Sequence, residues 1–142
     1  MLVDANLLLY AVDRDSAWHD AAAAWWEATL NGDRRVGLAW QTVGAFLRIS
    51  THPRVVANPL TAAEATDYVQ GWLEAPPVWI PPATPGTASI LVDLIRRHHA
   101  TGNLVTDAQL AALALEHGLV VCSTDSDFAR FPEVRWENPL RD

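Results

Sequence analysis

Residues 119–122, with the sequence LVVC, constrain the fold of this chain more than any other segment. The run is short, apolar and rich in β-branched side chains, which is typical of a strand buried on both faces of a sheet. A helical pattern precedes it and ends at Gly118, a natural C-terminal stop. An acidic turn, residues 124–127, follows it directly. This order, with further short strands and helices alternating along the chain, predicts a three-layer α/β domain with a mainly parallel sheet.

Four aspartates are predicted to meet at one edge of that sheet. Asp4 ends a minimal N-terminal strand, and Asp125 and Asp127 follow residues 119–122. Residues 106–109 (TDAQ) form a capping-box pattern, which predicts a helix that begins after Thr106 and leaves the Asp107 carboxylate uncommitted. Ligands of open α/β sheets bind outside the carboxyl ends of the strands.

Converging carboxylates repel each other, so they either take up protons or bind a cation. A hard divalent cation with oxygen ligands is the less costly solution. Each acid also has a structural interpretation. Asp4 can cap the first helix, and Asp125 and Asp127 can be ordinary turn residues, because aspartate is common where strands end.

Length and composition predict one globular domain over residues 1–142. Half of the residues are apolar, yet no apolar run reaches the ~18 residues of a membrane span. The chain starts without the basic and apolar regions of a secretory signal, so we expect a cytoplasmic protein. The single cysteine, Cys122, is interpreted as a core residue.

The formal charge of −7 argues against a general nucleic-acid coat protein but is compatible with a nuclease or with a basic partner. All ten basic residues are arginines, which excludes P-loop phosphate binding and disfavours a lysine-dependent phosphatase. Arg48 and Arg54 flank the end of a helix predicted over residues 40–50. They either keep the surface soluble or contact an RNA backbone.

Five segments in order carry a resemblance to a known family: VDANLLLYAVD, AWQTVGAFLRISTHPRV, TDAQLAALALEHG, STDSDFARFP and RWENPL. They span the chain, which resembles PIN-domain ribonucleases, specifically the VapC-type toxins of toxin–antitoxin pairs. The resemblance implies five strands with helices on both faces. It also implies an endoribonuclease that hydrolyses RNA phosphodiester bonds with metal-activated water.

The resemblance assigns roles to individual residues. The implied ligands of Mg²⁺, for which Mn²⁺ can substitute, are Asp4, Asp107 and Asp125. Asp127 is implied as an accessory acid. Asn6 and Thr124 match polar positions of the family and are expected to orient the carboxylates by hydrogen bonds.

The implied partners are a cognate VapB-like antitoxin, an RNA substrate and a second copy of the chain. One departure from the family pattern is notable. PIN domains usually carry a glutamate near the position of Ala45, whereas no acid occurs between Asp33 and Glu64. The departure favours a single metal ion. It also supports an alternative, a catalytically weak PIN-like module that acts mainly through antitoxin and operator binding.

Overall fold

The computed structural model describes residues 1–141, in which short strands and helices alternate. The strands are β1 (Leu2–Val3), β2 (Val36–Gly37), β3 (Val78–Trp79), β4 (Val121–Cys122) and β5 (Trp136–Glu137). The helices are α1 (Ala5–Val12), α2 (His19–Leu30), α3 (Trp40–Ser50), α4 (Ala62–Glu74), α5 (Pro85–His98) and α6 (Asn103–His117). A 3₁₀ helix (Ser126–Arg130) lies between β4 and β5. No helix of this described part has the length and apolar character needed to cross a membrane.

The five strands form one sheet in the order β3-β2-β1-β4-β5, and all pairings are parallel. The chain begins in the middle strand, builds outward through β2 and β3, and then crosses to β4. The β1–β4 pair is therefore the point where the strand order reverses, the usual ligand site of such sheets. We call the side on which all five strands end the carboxyl edge.

Helices cover both faces of the sheet, because successive side chains of a strand point in opposite directions. Leu2 and Val121 face the layer of α5, α6 and the 3₁₀ helix. Val3 and Cys122 face the layer of α1 to α4. The predicted three-layer α/β fold is confirmed. The predicted single domain stays a prediction, and its last residue, Asp142, lies outside the described residues.

Two packed clusters hold the carboxyl edge in place. In one, the alanine-rich face of α6 packs against the sheet, and Phe128 of the 3₁₀ helix is only 1% exposed. In the other, Trp72 makes edge contacts with Trp26 and Phe46, with ring centroids 5.8 and 4.7 Å apart. Burial of such aromatic side chains contributes on the order of 2 kcal/mol each. The loops that follow β1 and β4 are thus anchored from both faces.

The structure corrects one local prediction. Helix α6 begins at Asn103, one turn earlier than the TDAQ pattern predicts, and its N-cap is Gly102, with φ 59°. Thr106 therefore caps nothing, and Asp107 lies in the second turn of the helix. Gly102 adopts a positive φ that other residues disfavour, so the chain can turn sharply from α5 into α6.

Candidate active site

Asp4 lies at the carboxyl end of β1 and is held by two donors. Its Oδ1 accepts a hydrogen bond of 2.7 Å from the Ala5 N–H as the N-cap of α1, which is the structural role considered above. Its Oδ2 accepts a bond of 2.6 Å from the Ser123 hydroxyl. The register of β1 and β4 pairs Val3 with Cys122, so the next residues of the two strands lie side by side. The carboxylate is therefore fixed in one orientation.

Ser123 joins the loops that follow β1 and β4. Its fully buried hydroxyl donates to Asp4 and accepts bonds of 3.0 Å from both the Asn6 side-chain amide and the Asp125 N–H. A serine hydroxyl has one donor and two acceptor sites, so its capacity is fully used. The sequence prediction had placed this orienting role on Thr124. Thr124 is half-buried, and its side chain forms no hydrogen bond within residues 1–141.

Asn6 lies in the first turn of α1 and points toward Ser123, as the sequence prediction expected of a supporting polar residue. Its Oδ1 atom is buried and has no hydrogen-bond partner among the described residues. A buried acceptor without a partner costs about 1–3 kcal/mol. The oxygen is thus available to a water molecule or to another donor at this edge.

Three other carboxylates converge beside Asp4. Asp107, Asp125 and Asp127 each offer one oxygen, and these three oxygens lie within 4.8 Å of one another. Asp125 caps the 3₁₀ helix by accepting a 2.9 Å bond from the Asp127 N–H, which fixes the relative positions of these two acids. Asp107 reaches the cluster from α6. Asp4 is not part of this set of three, although its charge acts on Asp107.

Among the described residues, the acids form no ion pair that would compensate their charge. Burial, followed by the charges of Asp125, Asp4 and Asp127, raises the pKa of Asp107 to about 7. Burial also raises the pKa of Asp4, against the opposing effect of the hydrogen bonds from Ser123 and Ala5. Within residues 1–141, no arginine or histidine forms an ion pair with these four aspartates.

These residues fit a hard divalent cation. All of the donors are oxygens, and oxygen is the ligand that Mg²⁺ and similar ions prefer. Oxygens 2.0–2.6 Å from an ion lie at most about 4–5 Å apart on opposite sides of it, so the oxygens of Asp107, Asp125 and Asp127 can share one ion with little movement. A cation would also relieve the repulsion that raises the pKa of Asp107.

Comparison with known proteins identifies the family of this site. Residues 1–134 match the PIN domain family. The chain is 42% identical to ribonuclease VapC33 of Mycobacterium tuberculosis over 142 residues, which cover 100% of this chain and 99% of VapC33. It is also 42% identical to ribonuclease VapC37 of the same species over 138 residues, covering 97% and 96% of the two chains. This chain belongs to the VapC-type PIN-domain ribonucleases.

A solved structure supports the fold of this VapC-type chain. The crystal structure of VapBC2 from Rickettsia felis bound to a DNA fragment from their promoter aligns with a TM-score of 0.69 at 13% identity, covering 96% of both chains. At this level of identity the similarity concerns the fold alone.

The glutamate that PIN domains usually carry is absent here, because α3 contains no acid. Ala45 is half-buried in the middle of this helix. The first turn of α3 is fixed beside the acids by Thr42, whose hydroxyl donates a 3.3 Å bond to the Val3 carbonyl. The oxygen cluster of the described residues therefore rests on aspartates alone.

The structure places Arg48 and Arg54, for which both surface solubility and RNA contact were considered, away from the acids. Arg48 lies eight residues, or about 12 Å of helix, from the end of α3 that faces the carboxyl edge. Arg54 lies in the loop that follows α3. This loop borders a cavity of about 750 Å³ between the C-terminal ends of α1 and α3, away from the acids.

Proposed function

We propose that this VapC-type chain is a metal-dependent endoribonuclease toxin that cleaves RNA in the cytoplasm. The observation that carries the proposal is the convergence of three carboxylates, with Asp4 beside them, at the point where the strand order of the sheet reverses. Mg²⁺, or Mn²⁺ in its place, would be held by Asp4, Asp107 and Asp125, with Asp127 as an accessory acid. The absent α3 glutamate favours one ion.

The residues of the chain prepare the site for hydrolysis. When bound, the ion supplies an activated water and stabilises the charge that builds up on the phosphate. Ser123 and the Ala5 N–H hold the Asp4 carboxylate in place, so little reorganisation is needed on binding. Burial and the neighbouring acids raise the pKa of Asp107 to about 7, so binding of a cation there would favour release of its proton.

We also propose that a VapB-like antitoxin neutralises the chain and that the chain forms a homodimer. The similarity in fold to VapBC2 supports the antitoxin, and the net charge of −7 suits a basic partner. A basic side chain of the antitoxin can compensate the same four aspartates that attract a metal ion. The homodimer rests on family membership alone.

The test is cleavage of total RNA by the purified chain, with sequencing of the new RNA ends. We expect cleavage with Mg²⁺ or Mn²⁺, none with EDTA, and none for Asp107→Asn, which keeps the shape of the side chain but removes its charge. Asp20→Asn, an exposed aspartate of α2, is the matched control and should cleave normally. Cleavage that persists in EDTA, or in folded Asp107→Asn protein, would contradict the metal site.

The absence of an acid in α3 favours a second candidate, a weak nuclease that acts mainly by binding its antitoxin and operator DNA. This candidate predicts that Asp107→Asn leaves repression of the operator by the complex unchanged, while the unaltered chain shows no metal-dependent cleavage. Operator binding by the purified complex, measured beside the RNA assay, separates the two functions.

A further inference from the structure

Two exposed side chains flank the four aspartates along the carboxyl edge, and neither has a role in the site described above. Trp40 follows β2 and is 77% exposed. Arg130 ends the 3₁₀ helix that follows β4, and it is also exposed. A large aromatic ring and a guanidinium on either side of a phosphodiesterase site are the two groups that hold single-stranded nucleic acid.

Arg130 is positioned by the 3₁₀ helix. Residues three apart in such a helix lie on the same side, so Arg130 lies on the side of Asp127, displaced by a rise of about 6 Å. The opposite side is anchored by Phe128, which is 1% exposed. Because Asp127 shares a cluster with Asp107 and Asp125, Arg130 lies one turn of the 3₁₀ helix beyond the acid cluster.

Arg130 nevertheless has no carboxylate partner. The ion pairs of residues 1–141 involve Arg34 and Arg97 among the arginines, and Arg130 is in none of them. An exposed guanidinium on the helix that carries Asp127, in no ion pair with the described residues, is available to an external anion. Its planar fork suits a phosphate, which it can bind through two parallel hydrogen bonds.

Trp40 lies on the other flank. It is the first residue of α3, and Thr42, two residues on, bonds to the carbonyl of Val3, next to Asp4. The ring makes no aromatic pair with the described residues, in contrast to Trp25, Trp26 and Trp72. An aromatic ring that protrudes this far gains little from folding, but it offers a face on which a base can stack.

The order of the strands places the two flanks on either side of Asp4. Trp40 follows β2 and the 3₁₀ helix follows β4, and β1 with Asp4 lies between them. Adjacent strands are about 4.8 Å apart, so β2 and β4 are separated by about 10 Å. Neighbouring nucleotides of one extended RNA strand can cover this span, with the phosphate between them at the acids.

We propose that single-stranded RNA crosses the carboxyl edge between Trp40 and Arg130, with a base stacked on Trp40 and a non-scissile phosphate bound by Arg130. The inference rests on the proposed ribonuclease function and adds to it the residues that position the substrate. Of the two roles considered for Arg48 and Arg54, surface solubility or RNA contact, it requires only the first.

The experiment compares Arg130→Gln with Arg54→Gln, and Trp40→Ala with Trp18→Ala. Trp18 is a suitable control because it is 49% exposed and lies at the N-terminal end of α2, outside the proposed RNA path. Binding of a fluorescent single-stranded RNA oligonucleotide is measured over a range of salt concentrations, with Asp107→Asn as the common background to prevent cleavage. Steady-state cleavage of the same RNA with Mg²⁺ is measured in the background that retains Asp107.

We expect Arg130→Gln to raise KM about tenfold with little change in kcat. It should reduce the slope of log Kd against log salt by about 0.7, the value of one phosphate contact on a single strand. Trp40→Ala should weaken binding roughly 5- to 100-fold, consistent with loss of one base–aromatic stack. Trp40→Phe should recover most of that loss. Both control variants, Arg54→Gln and Trp18→Ala, should bind and cleave the RNA as well as the protein that lacks these substitutions.

Three results would overturn the inference. Arg130→Gln and Arg54→Gln could have equal effects, or the salt slope could stay unchanged. Light scattering could show that Trp40→Ala changes the oligomeric state, and this would make Trp40 an interface residue. Failure of the proposed function looks different, because the unaltered chain would then neither bind nor cleave the RNA.

Discussion

Glu133 and Asp107 show how differently one fold treats its carboxylates. Glu133 accepts hydrogen bonds from His98, at 2.8 Å, and from Arg97, at 3.2 Å. Burial raises the pKa of Glu133, but these bonds and one from its own backbone outweigh it, and the pKa is lowered. Asp107 receives no such bond from the described residues, and burial with three neighbouring acids raises its pKa to about 7. The lack of a hydrogen-bond or ion-pair partner among the described residues therefore distinguishes Asp107, the proposed metal ligand, from Glu133.

The charged form of Asp107 is thus unfavourable, whereas that of Glu133 is favoured. Structural carboxylates such as Glu64, which closes the capping box with Thr61, contribute to the stability of the fold. Asp107 has no such partner among the described residues, and burial and the neighbouring acids oppose its ionisation. Perturbed pKa values of this kind are concentrated at functional sites.

The largest expected effect is on RNA cleavage, and it separates the clustered aspartates from Glu133, whose partners serve the fold. Asp125→Asn should reduce RNA cleavage on the order of 100-fold or more, the loss typical when one charge-stabilising group is removed. Asp127→Asn should cost less, if its role is accessory. Glu133→Gln should cleave within about twofold of normal, because its partners serve the fold. Rates of RNA cleavage with Mg²⁺ measure all three, and equal losses for Asp125→Asn and Asp127→Asn would remove the distinction.

A smaller effect separates Ser123 from Thr124. Ser123→Ala removes the hydroxyl that holds the Asp4 carboxylate, and loss of such an orienting bond typically costs 10- to 100-fold in metal affinity or activity. Thr124→Ala should change cleavage very little. Affinity for Mn²⁺ and cleavage rates, with circular dichroism as a check on folding, test the pair. A larger loss for Thr124→Ala would place the orienting hydroxyl where the sequence prediction had it.

Divalent metal should raise the melting temperature of the unaltered chain by several degrees, because binding to the folded state relieves repulsion among the aspartates. Glu133→Gln should show the same rise, and Asp107→Asn little or none. Calorimetry should find one site, and Ala45→Glu tests whether the missing acid adds affinity for a second ion. Two equally tight sites in the unaltered chain would contradict the one-ion proposal.

The pH dependence follows from the raised pKa of Asp107. At pH values between 3.8, the ordinary pKa of an aspartate, and about 7, Asp107 of the folded state keeps a proton that the unfolded chain has lost. The contribution of Asp107 to the free energy of unfolding of the metal-free protein therefore decreases as the pH rises through this window. Asp107→Asn should flatten the dependence from pH 5 to 7, where the acids with lowered pKa are already ionised. Urea denaturation in EDTA measures it, and an equally steep profile for Asp107→Asn would assign the slope to other groups.

The smallest effect is on the stability of the Glu133 region. Glu133→Gln should lower the free energy of unfolding by at most about 1 kcal/mol, since the pair with Arg97 is largely exposed. The pKa of Glu133 is lowered in the folded protein. Its contribution to the free energy of unfolding is therefore fully present at pH values above the ordinary pKa of a glutamate, and it decreases as the pH falls through the lowered pKa. Urea denaturation at pH 7 and at pH 3 should therefore differ less for the variant than for the unaltered chain.

The sequence alone determined the features that depend on neighbouring residues. The bounds of α3, the capping box of Thr61 and Glu64, and the left-handed stop at Gly118 all follow from local hydrogen bonding and side-chain spacing. The parallel fold and the meeting of acids at strand ends also followed, because in such sheets all strands end at one edge.

Tertiary structure decided what local patterns cannot encode. The register of β1 against β4 places Ser123, rather than Thr124, on Asp4. The packing of α6 on the sheet, together with the sharp turn at Gly102, starts the helix before Thr106. Asp4 and Ser123 are more than a hundred positions apart in the sequence. A single sequence records the residue types that meet in such a contact, but not the register in which they meet.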